Sequence, residues 1–228
     1  MFKIQSRAFL FLFFLISFGA IAQQPVVINN NTAEYIFKSK EIVGLEDPKG
    51  ELSFDAISSA AYQNKFKPNV DYYPKNYNRS STYWYRVKVR FEEDFEKSSI
   101  IEFFDQVTDH IDVYFPDENG KYVHARSGAD LTFKERLYRH KNFEFLIKNL
   151  KKGEYYYYFK IKSKDRVNVI IVFRTIERFI QYGLTEYLTY GLFYGMIFIF
   201  SFHNLLMYLA VRRRQYLYYI LYILSVGL

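Results

Sequence analysis

A long uncharged segment near the C-terminus constrains this chain more than any other feature. Leu192–Ala210 spans 19 residues without a formal charge, and ten of them are Leu, Ile or Phe. A helix of about 20 apolar residues can cross the hydrocarbon core of a bilayer, and these ten side chains favour insertion enough to outweigh the polar residues among them. The segment therefore predicts a transmembrane helix at Tyr190–Val211.

The charges on either side of this helix indicate its orientation. Arg212-Arg213-Arg214 follows it directly, and Glu186 precedes it. Positive charges beside a membrane helix are retained in the cytoplasm, so residues 212–215 are predicted to form a cytoplasmic loop. Residues 181–189 are predicted to be a juxtamembrane linker, and the chain before them is predicted to lie outside the cytoplasm.

The N-terminus has the pattern of a secretory signal peptide. Lys3 and Arg7 precede the apolar run Ala8–Phe18, and the small residues Ala20 and Ala22 follow it. This pattern predicts a signal peptide at residues 1–22 that is cleaved before Gln23. An uncleaved anchor is the alternative, but the apolar run is well short of the ~20 residues of a bilayer span.

Composition narrows the function of the predicted exported domain, residues 23–180. All 24 acidic residues lie between Glu34 and Glu186, where 26 Lys and Arg nearly balance them, so nucleic acid is not an expected partner. The absence of cysteine excludes disulfides and thiolate chemistry. We find no phosphate-binding loop, nucleophile elbow or His-Glu-x-x-His spacing. We therefore predict no catalytic residues, no cofactor and no enzymatic activity.

The exported region alternates apolar and polar residues, which is the period of a β-strand. Ser53 is expected to cap a short helix over Phe54–Tyr62. Short alternating strands joined by turns are typical of an antiparallel β-sandwich, here predicted to be of jelly-roll type. The predicted strands are residues 82–91, 110–116, 121–126, 143–147, 155–161 and 167–173.

Aromatic residues on two of these strands are the first candidates for a binding site. Trp84, Tyr156 and Tyr158 lie on the face opposite Tyr83, Tyr85, Tyr155 and Tyr157, which are expected to be core residues at period two. An exposed row on one sheet face would favour sugar stacking, whereas ordinary packing is the simpler alternative.

Charged residues supply weaker candidates. Arg136, Arg139 and His140 can contact an anionic ligand, but arginines before a strand more often cover apolar surface or pair with acids. Asp109, His110 and Asp112 lack the third or fourth converging ligand that a metal site needs, so no metal is predicted.

Several short motifs stand in a fixed order along the last two thirds of the chain. They are Tyr83-Trp84-Tyr85-Arg86, Ile111-Asp112-Val113-Tyr114-Phe115-Pro116, Ser127-Gly128, Phe133, Glu135-Arg136, Arg139-His140, Gly191-Leu192-Phe193-Tyr194-Gly195, Asn204-Leu205 and Tyr216-Leu217-Tyr218-Tyr219. Together they resemble a known family, the bacterial seven-transmembrane receptors with diverse intracellular signalling modules. The resemblance covers Thr82 to Leu228 and departs from the family in three places: at Gly128-Ala129-Asp130, at His203-Asn204 and at the three arginines after the first helix.

The resemblance implies a domain similar to carbohydrate-binding modules, then seven helices and a variable cytoplasmic output module. Gly191 and Gly195 have the small-residue spacing of packed membrane helices, and His203 and Asn204 are expected to contact a partner helix. Residues 216–228 are apolar but too short to cross a bilayer. We therefore expect a truncated second transmembrane helix, with five helices and the output module missing.

These observations predict the ligand-sensing portion of a receptor in the inner membrane of a bacterium, with its N-terminal domain in the periplasm. Its expected partners are membrane lipid, a small molecule or carbohydrate, and the remaining helices and output domain. The alternative is a membrane-anchored carbohydrate-binding module without signalling output.

Overall fold

The computed structural model describes residues 23–148 and 150–227 of the chain. The predicted signal peptide, residues 1–22, lies outside the described residues. The described residues form eleven strands and four helices, with 3₁₀ turns at Ser39–Glu41 and Phe133–Glu135. The strands are β1 (Val26–Ile28), β2 (Glu34–Ile36), β3 (Ile42–Asp47), β4 (Lys67–Pro68), β5 (Thr82–Phe91), β6 (Ser99–Phe103), β7 (His110–Pro116), β8 (Tyr122–Ser127), β9 (Phe143–Ile147), β10 (Gly153–Lys162) and β11 (Ile171–Thr175), and the helices are α1 (Phe54–Ser58), α2 (Ala60–Gln63), α3 (Ile176–Val211) and α4 (Gln215–Gly227).

The strands form two sheets. The larger sheet has the order β4-β3-β5-β10-β7-β8, and β1 pairs in parallel with the end of β5. The smaller sheet has the order β2-β11-β6-β9 and is antiparallel throughout. The two inner faces pack together into one core, which contains Val87 and Phe159 from the larger sheet and Ile101 and Phe173 from the smaller one. The predicted mainly β fold, a sandwich followed by apolar helices, is confirmed.

The outer face of the larger sheet carries a second apolar cluster. Trp84 and Tyr158 are buried there beneath α1, whose Ile57 belongs to the same cluster. The Ser53 hydroxyl caps α1 as predicted, accepting a hydrogen bond from the backbone N–H of Ala56 at 3.3 Å. The short helices therefore bury part of the outer face of the larger sheet.

The structure corrects three boundaries. The helix predicted over Phe54–Tyr62 is divided between α1 and α2 at Ser59, whose backbone is extended. The strand predicted at residues 167–173 begins only at Ile171, although Val167 and Val169 before it are buried. Strand β6 was not predicted, because all five of its residues are buried and it has no alternation.

The sandwich continues without a loop into the long apolar helix α3. Strand β11 ends at Thr175, whose side chain caps α3 by accepting a hydrogen bond from the backbone N–H of Arg178 at 3.3 Å. Residues 181–189, predicted as a linker, are part of this helix. Among the described residues, α3 is the one helix long and apolar enough to cross a membrane. It ends at Val211, the predicted end, and Arg212 follows with φ 54°.

Candidate functional site

A cavity of about 900 Å³ lies on the outer face of the larger sheet. Its floor is formed by β3, β5 and β10, and its walls come from α1, α2, β4, β8 and the first described residues. This volume is within the range of small-molecule sites. Residues that line it include Gln23, Lys40, Gln63, Phe66, Arg86 and Tyr156.

Arg86 is the central polar residue of this cavity. It lies on β5 and is 5% exposed. Its guanidinium carbon lies 4.4 Å from the ring centre of Phe66 and 4.8 Å from that of Tyr156. Its Nε donates to the side-chain oxygen of Gln23 at 3.1 Å, and its Nη1 donates to the side-chain oxygen of Gln63. The guanidinium thus contacts two aromatic rings and is oriented by two amides.

The aromatic candidates behave differently from one another. Tyr156 and Tyr158 line the cavity, whereas Trp84 is fully buried beneath the cluster and is absent from the lining. Tyr122 also lines the cavity and donates its hydroxyl to the Tyr156 carbonyl oxygen at 3.0 Å. Burial raises the pKa of Tyr122 to about 12, so this phenol stays neutral at physiological pH. The residues form part of a covered cavity rather than an exposed row.

The two candidate arginines after β8 do not reach this cavity. Arg136 donates from Nη1 to the carbonyl oxygens of His140 and Lys141 at 3.1 and 2.8 Å, and its guanidinium lies over Phe143. Arg139 is exposed and lies in the same irregular segment. Arg136 therefore orders the segment that leads into β9.

A buried polar cluster lies on the outer face of the smaller sheet, where α3 packs against it. Glu102 on β6 is fully buried, forms an ion pair with Arg174 of β11, and accepts a hydrogen bond from the side chain of Asn142. Arg174 also contacts Glu34 on β2, with Nε 2.6 Å from Oε2. Its guanidinium carbon lies 4.5 Å from the ring centre of Tyr182 on α3. We use the name junction cluster for these residues and three neighbours, which are Glu34, Glu102, Asn142, Arg174, Tyr182, His140, Glu144 and Glu186.

His140 links the two sides of the junction cluster. Its Nδ1 lies 3.0 Å from Oε1 of Glu144, and its Nε2 lies 3.6 Å from Oε2 of Glu186 on α3. Lys141 pairs with the same Glu186. Burial raises the pKa of Glu144 above its usual 4.5, although the hydrogen bond and charge of His140 oppose this shift. The beginning of α3 is thus held to the sandwich by polar contacts.

Three members of the junction cluster have the spacing of metal ligands. Ligand atoms of Glu102, His140 and Glu144 all lie within 4.8 Å of one another. Glu102, however, is already neutralised by Arg174. Only His140 and Glu144 then remain, fewer than the three or four converging ligands that a divalent cation needs. The donor set does not fit a metal ion.

The helix residues proposed for packing have different surroundings. A Cβ added at Gly191 or Gly195 would meet nothing within 4 Å, so this surface of α3 is open. Asn204 donates to the carbonyl oxygen of Phe200 at 2.8 Å, while His203 is exposed. Helix α4 packs against α3 through Gly227, where an added Cβ would collide with Ile197.

The sequence singled out two tyrosines that line the cavity and His140 of the junction cluster, but not the charged residues at the centre of either region. Arg86 occupies an outward position of an alternating strand, which is the pattern of a solvated face, and Gln63 lies 23 residues before it in the chain. Glu102 and Arg174 are paired across 72 residues of sequence. The predicted helix after Ser53 was the one indication that an element packs on the outer face of the larger sheet, because it includes the apolar Phe54 and Ile57.

The fold is a β-sandwich fused directly to a helix that is long and apolar enough to cross a membrane. Residues 39–175 match a family model described as 7TMR-DISM extracellular 2, and residues 186–228 match one described as 7TM diverse intracellular signalling. The first match covers more than half of the chain. The chain therefore belongs to the 7TMR-DISM family of membrane signalling receptors, with an extracellular N-terminal domain.

Solved structures give only distant similarities. Protein SO0799 from Shewanella oneidensis is 16% identical, with 41% of this chain and 52% of that chain covered and a TM-score of 0.20. Tailspike protein 4 of bacteriophage CBA120 is 8% identical, with coverages of 63% and 18% and a TM-score of 0.23. TmCBM61 in complex with β-1,4-galactotriose is 8% identical, with coverages of 63% and 89% and a TM-score of 0.26. The chain spans about half the length of the first of these structures, and no curated protein matches it.

Proposed function

We propose that this chain is the sensing end of a bacterial inner-membrane receptor, and that it binds a small molecule or carbohydrate in the cavity around Arg86. The observation that carries the proposal is the cavity itself, which combines aromatic walls with a few fixed polar groups. Such a combination is characteristic of small-molecule sites. The exported N-terminal domain would present this cavity to the periplasm.

In this proposal, ligand binding reaches the membrane through the junction cluster and the direct continuation of β11 into α3. Thr175 and Ile176 join strand and helix without an intervening loop. A displacement of β11 against the larger sheet therefore has no flexible segment in which to dissipate before α3. The remaining helices and the output module of the receptor would respond to that displacement.

The ligand must distinguish two states of the receptor for a signal to result. A ligand that binds both states with equal affinity shifts no equilibrium. The cavity is suited to such discrimination because its walls come from separate elements. Phe66 precedes β4, whereas Arg86 and Tyr156 lie on central strands. A ligand that draws the outer wall toward the central strands favours the state in which they are close.

The binding proposal is tested by blocking the cavity. Ala60 lines it, and the neighbouring Ala61 is exposed but does not. We expect Ala60→Trp to abolish ligand-dependent thermal shifts in a screen of glycans and small molecules, and Ala61→Trp to retain them. The full chain in detergent micelles serves for this measurement. Shifts that persist in Ala60→Trp would place the ligand elsewhere and refute the proposal.

The proposed topology has its own test. A β-lactamase or alkaline phosphatase fused after Leu150 should report an exported location, and the same reporter fused after Arg214 should report the cytoplasm. A cytoplasmic signal from the first fusion would overturn both the periplasmic location of the cavity and its proposed role as a sensor.

A further inference from the structure

Arg86 differs from the other buried arginine of the sandwich in having no acidic partner. Arg174, equally buried, is paired with Glu102 and Glu34. Arg86 makes no ion pair with any carboxylate among residues 23–148 and 150–227. A buried charge is costly unless an opposite charge or strong hydrogen bonds compensate it. The cavity therefore contains a buried cation with no carboxylate of the described residues within ion-pair distance.

The hydrogen bonds of Arg86 satisfy its geometry without neutralising it. Gln23 and Gln63 accept from Nε and Nη1 through neutral amide oxygens. No described residue accepts a hydrogen bond from Nη2, while the rings of Phe66 and Tyr156 lie 4.4 and 4.8 Å from the guanidinium carbon. The Nη2 edge of the guanidinium therefore retains donors for an incoming group, and this edge is where a planar carboxylate binds arginine.

The other charges of the cavity also favour an anion. Lys40 lines it, and so does Glu41. The Glu41 carboxylate is already engaged, since Oε1 accepts from the Tyr35 hydroxyl at 2.8 Å and Oε2 accepts from the backbone N–H of Lys38 at 2.8 Å. Two cations then face the cavity against one carboxylate that is tied to its own neighbours.

We infer that the ligand of this cavity carries a carboxylate, which pairs with the edge of the Arg86 guanidinium while the rest of the ligand contacts Tyr156 and Tyr158. An acidic sugar or another small ring carboxylate fits this chemistry. The inference rests on the proposed function, because it names the class of ligand for the same cavity. It adds that neutral sugars are poor ligands.

The test compares matched acidic and neutral probes on the full chain in detergent micelles. Galacturonate is paired with galactose, glucuronate with glucose, and benzoate with benzamide, and dissociation constants are measured by titration calorimetry. The acidic member of at least one pair should bind at least about tenfold more tightly, which is the change that one lost charge-assisted hydrogen bond produces. Arg86→Gln should remove this preference, and Arg79→Gln, at an exposed arginine outside the cavity, should keep it.

The outcomes separate the inference from the proposed function. Equal binding of the neutral and acidic members in every pair that binds overturns the inference and leaves the cavity as a ligand site. An acid preference that survives in a folded Arg86→Gln variant overturns it as well. No binding by any member of the three pairs counts against both. Should Arg86→Gln fail to fold, the acid preference of the unaltered chain decides, together with Arg86→Lys, which retains charge but loses the planar edge.

Discussion

Arg174→Met is expected to destabilise the sandwich strongly, because it removes the counter-charge of a fully buried carboxylate. Glu102 is 0% exposed and would keep only the hydrogen bond from Asn142 and a longer contact, 4.0 Å, between its Oε1 and Nδ1 of His140. Methionine replaces much of the apolar volume of arginine, so the loss of charge dominates over the loss of packing. Removing one partner of a buried ion pair typically costs about 3–5 kcal/mol.

The upper limit of this destabilisation is set by the protonation of the Glu102 carboxylate. A carboxylate left unpaired can take up a proton, which costs roughly 1.4 kcal/mol for each pH unit above an ordinary pKa of about 4.3. At pH 7 the charge-related destabilisation should therefore not exceed roughly 4 kcal/mol, and at pH 5 it should fall to roughly 1 kcal/mol. The cost of the substitution should thus grow with pH over this interval.

Urea unfolding of the full chain in micelles measures these values, and the buried Trp84, the only tryptophan, supplies the fluorescence signal. Arg178→Met is the matched control. Arg178 also pairs with Glu34, with 3.4 Å between Nε and Oε2, but its side chain is 44% exposed. An exposed pair contributes at most about 1 kcal/mol, so this control should change stability little at either pH.

The combination of Arg174→Met with Glu102→Gln separates charge from packing. Because the buried negative charge is then absent, the double variant should be more stable at pH 7 than Arg174→Met alone, and its cost should depend little on pH. A cost below about 1 kcal/mol for Arg174→Met at pH 7, or the same cost at pH 5 and pH 7, would refute the reasoning.

Three further predictions concern other parts of the sandwich. Gly128→Ala should lower the free energy of unfolding by about 3 kcal/mol or more, because φ is +145° and an added Cβ would lie 2.0 Å from a backbone oxygen. Gly120→Ala, in open space at φ +76°, should lower it by about 1–2 kcal/mol, and urea unfolding measures both values. Trp84→Ala should cost about 3–5 kcal/mol and Trp84→Phe much less by circular dichroism, since the buried indole Nε1 has no partner to lose. Burial alone would raise the pKa values of Glu34 and Glu186, but their basic partners lower both below 4.5. The ion pairs of these two carboxylates therefore stabilise the fold above pH 4.5, and this stabilisation should disappear as pH falls through the folded pKa values. Thermal stability that is flat from pH 5 to pH 3 would contradict this prediction.

The sequence was informative where one face of an element meets solvent or lipid. The alternation in β5 assigned Tyr83 and Tyr85 to the core and Trp84 to the other face, and the structure confirms both assignments. The end of α3 at Val211 was predictable because the arginines after it interrupt an uncharged run. In these cases the surroundings of a residue in the fold follow directly from the residues next to it in the sequence.

The cavity and the junction cluster could not be predicted, because their residues are buried against distant parts of the chain. Alternation labelled Arg86 as outward-facing, which is correct, but an outward face is solvated only when nothing covers it. Here Phe66 covers it, 20 residues earlier in the chain. Glu102 stands among the apolar residues Ile100, Ile101 and Phe103 of β6, and its partner Arg174 belongs to β11, a strand much later in the chain. The sequence pattern predicts on which face of a strand a side chain lies. Which side chains pair with one another depends on the order of the strands in the sheet, which the pattern does not give.

The two buried arginines lie on opposite sides of the sandwich, and this placement sets a condition for signalling. Arg86 lies on the outer face of the larger sheet, and Arg174 lies on the outer face of the smaller sheet beside α3. In the proposed receptor, the shared core, where Phe159 and Phe173 pack in one cluster, is one route from the cavity to α3. A second link runs along the chain, because Glu41 at the cavity accepts a hydrogen bond from Tyr35 of β2, which pairs with β11. Close-packed cores resist continuous deformation and transmit displacement between elements. Substitutions that loosen the core between the two sheets should therefore weaken signalling before they abolish ligand binding.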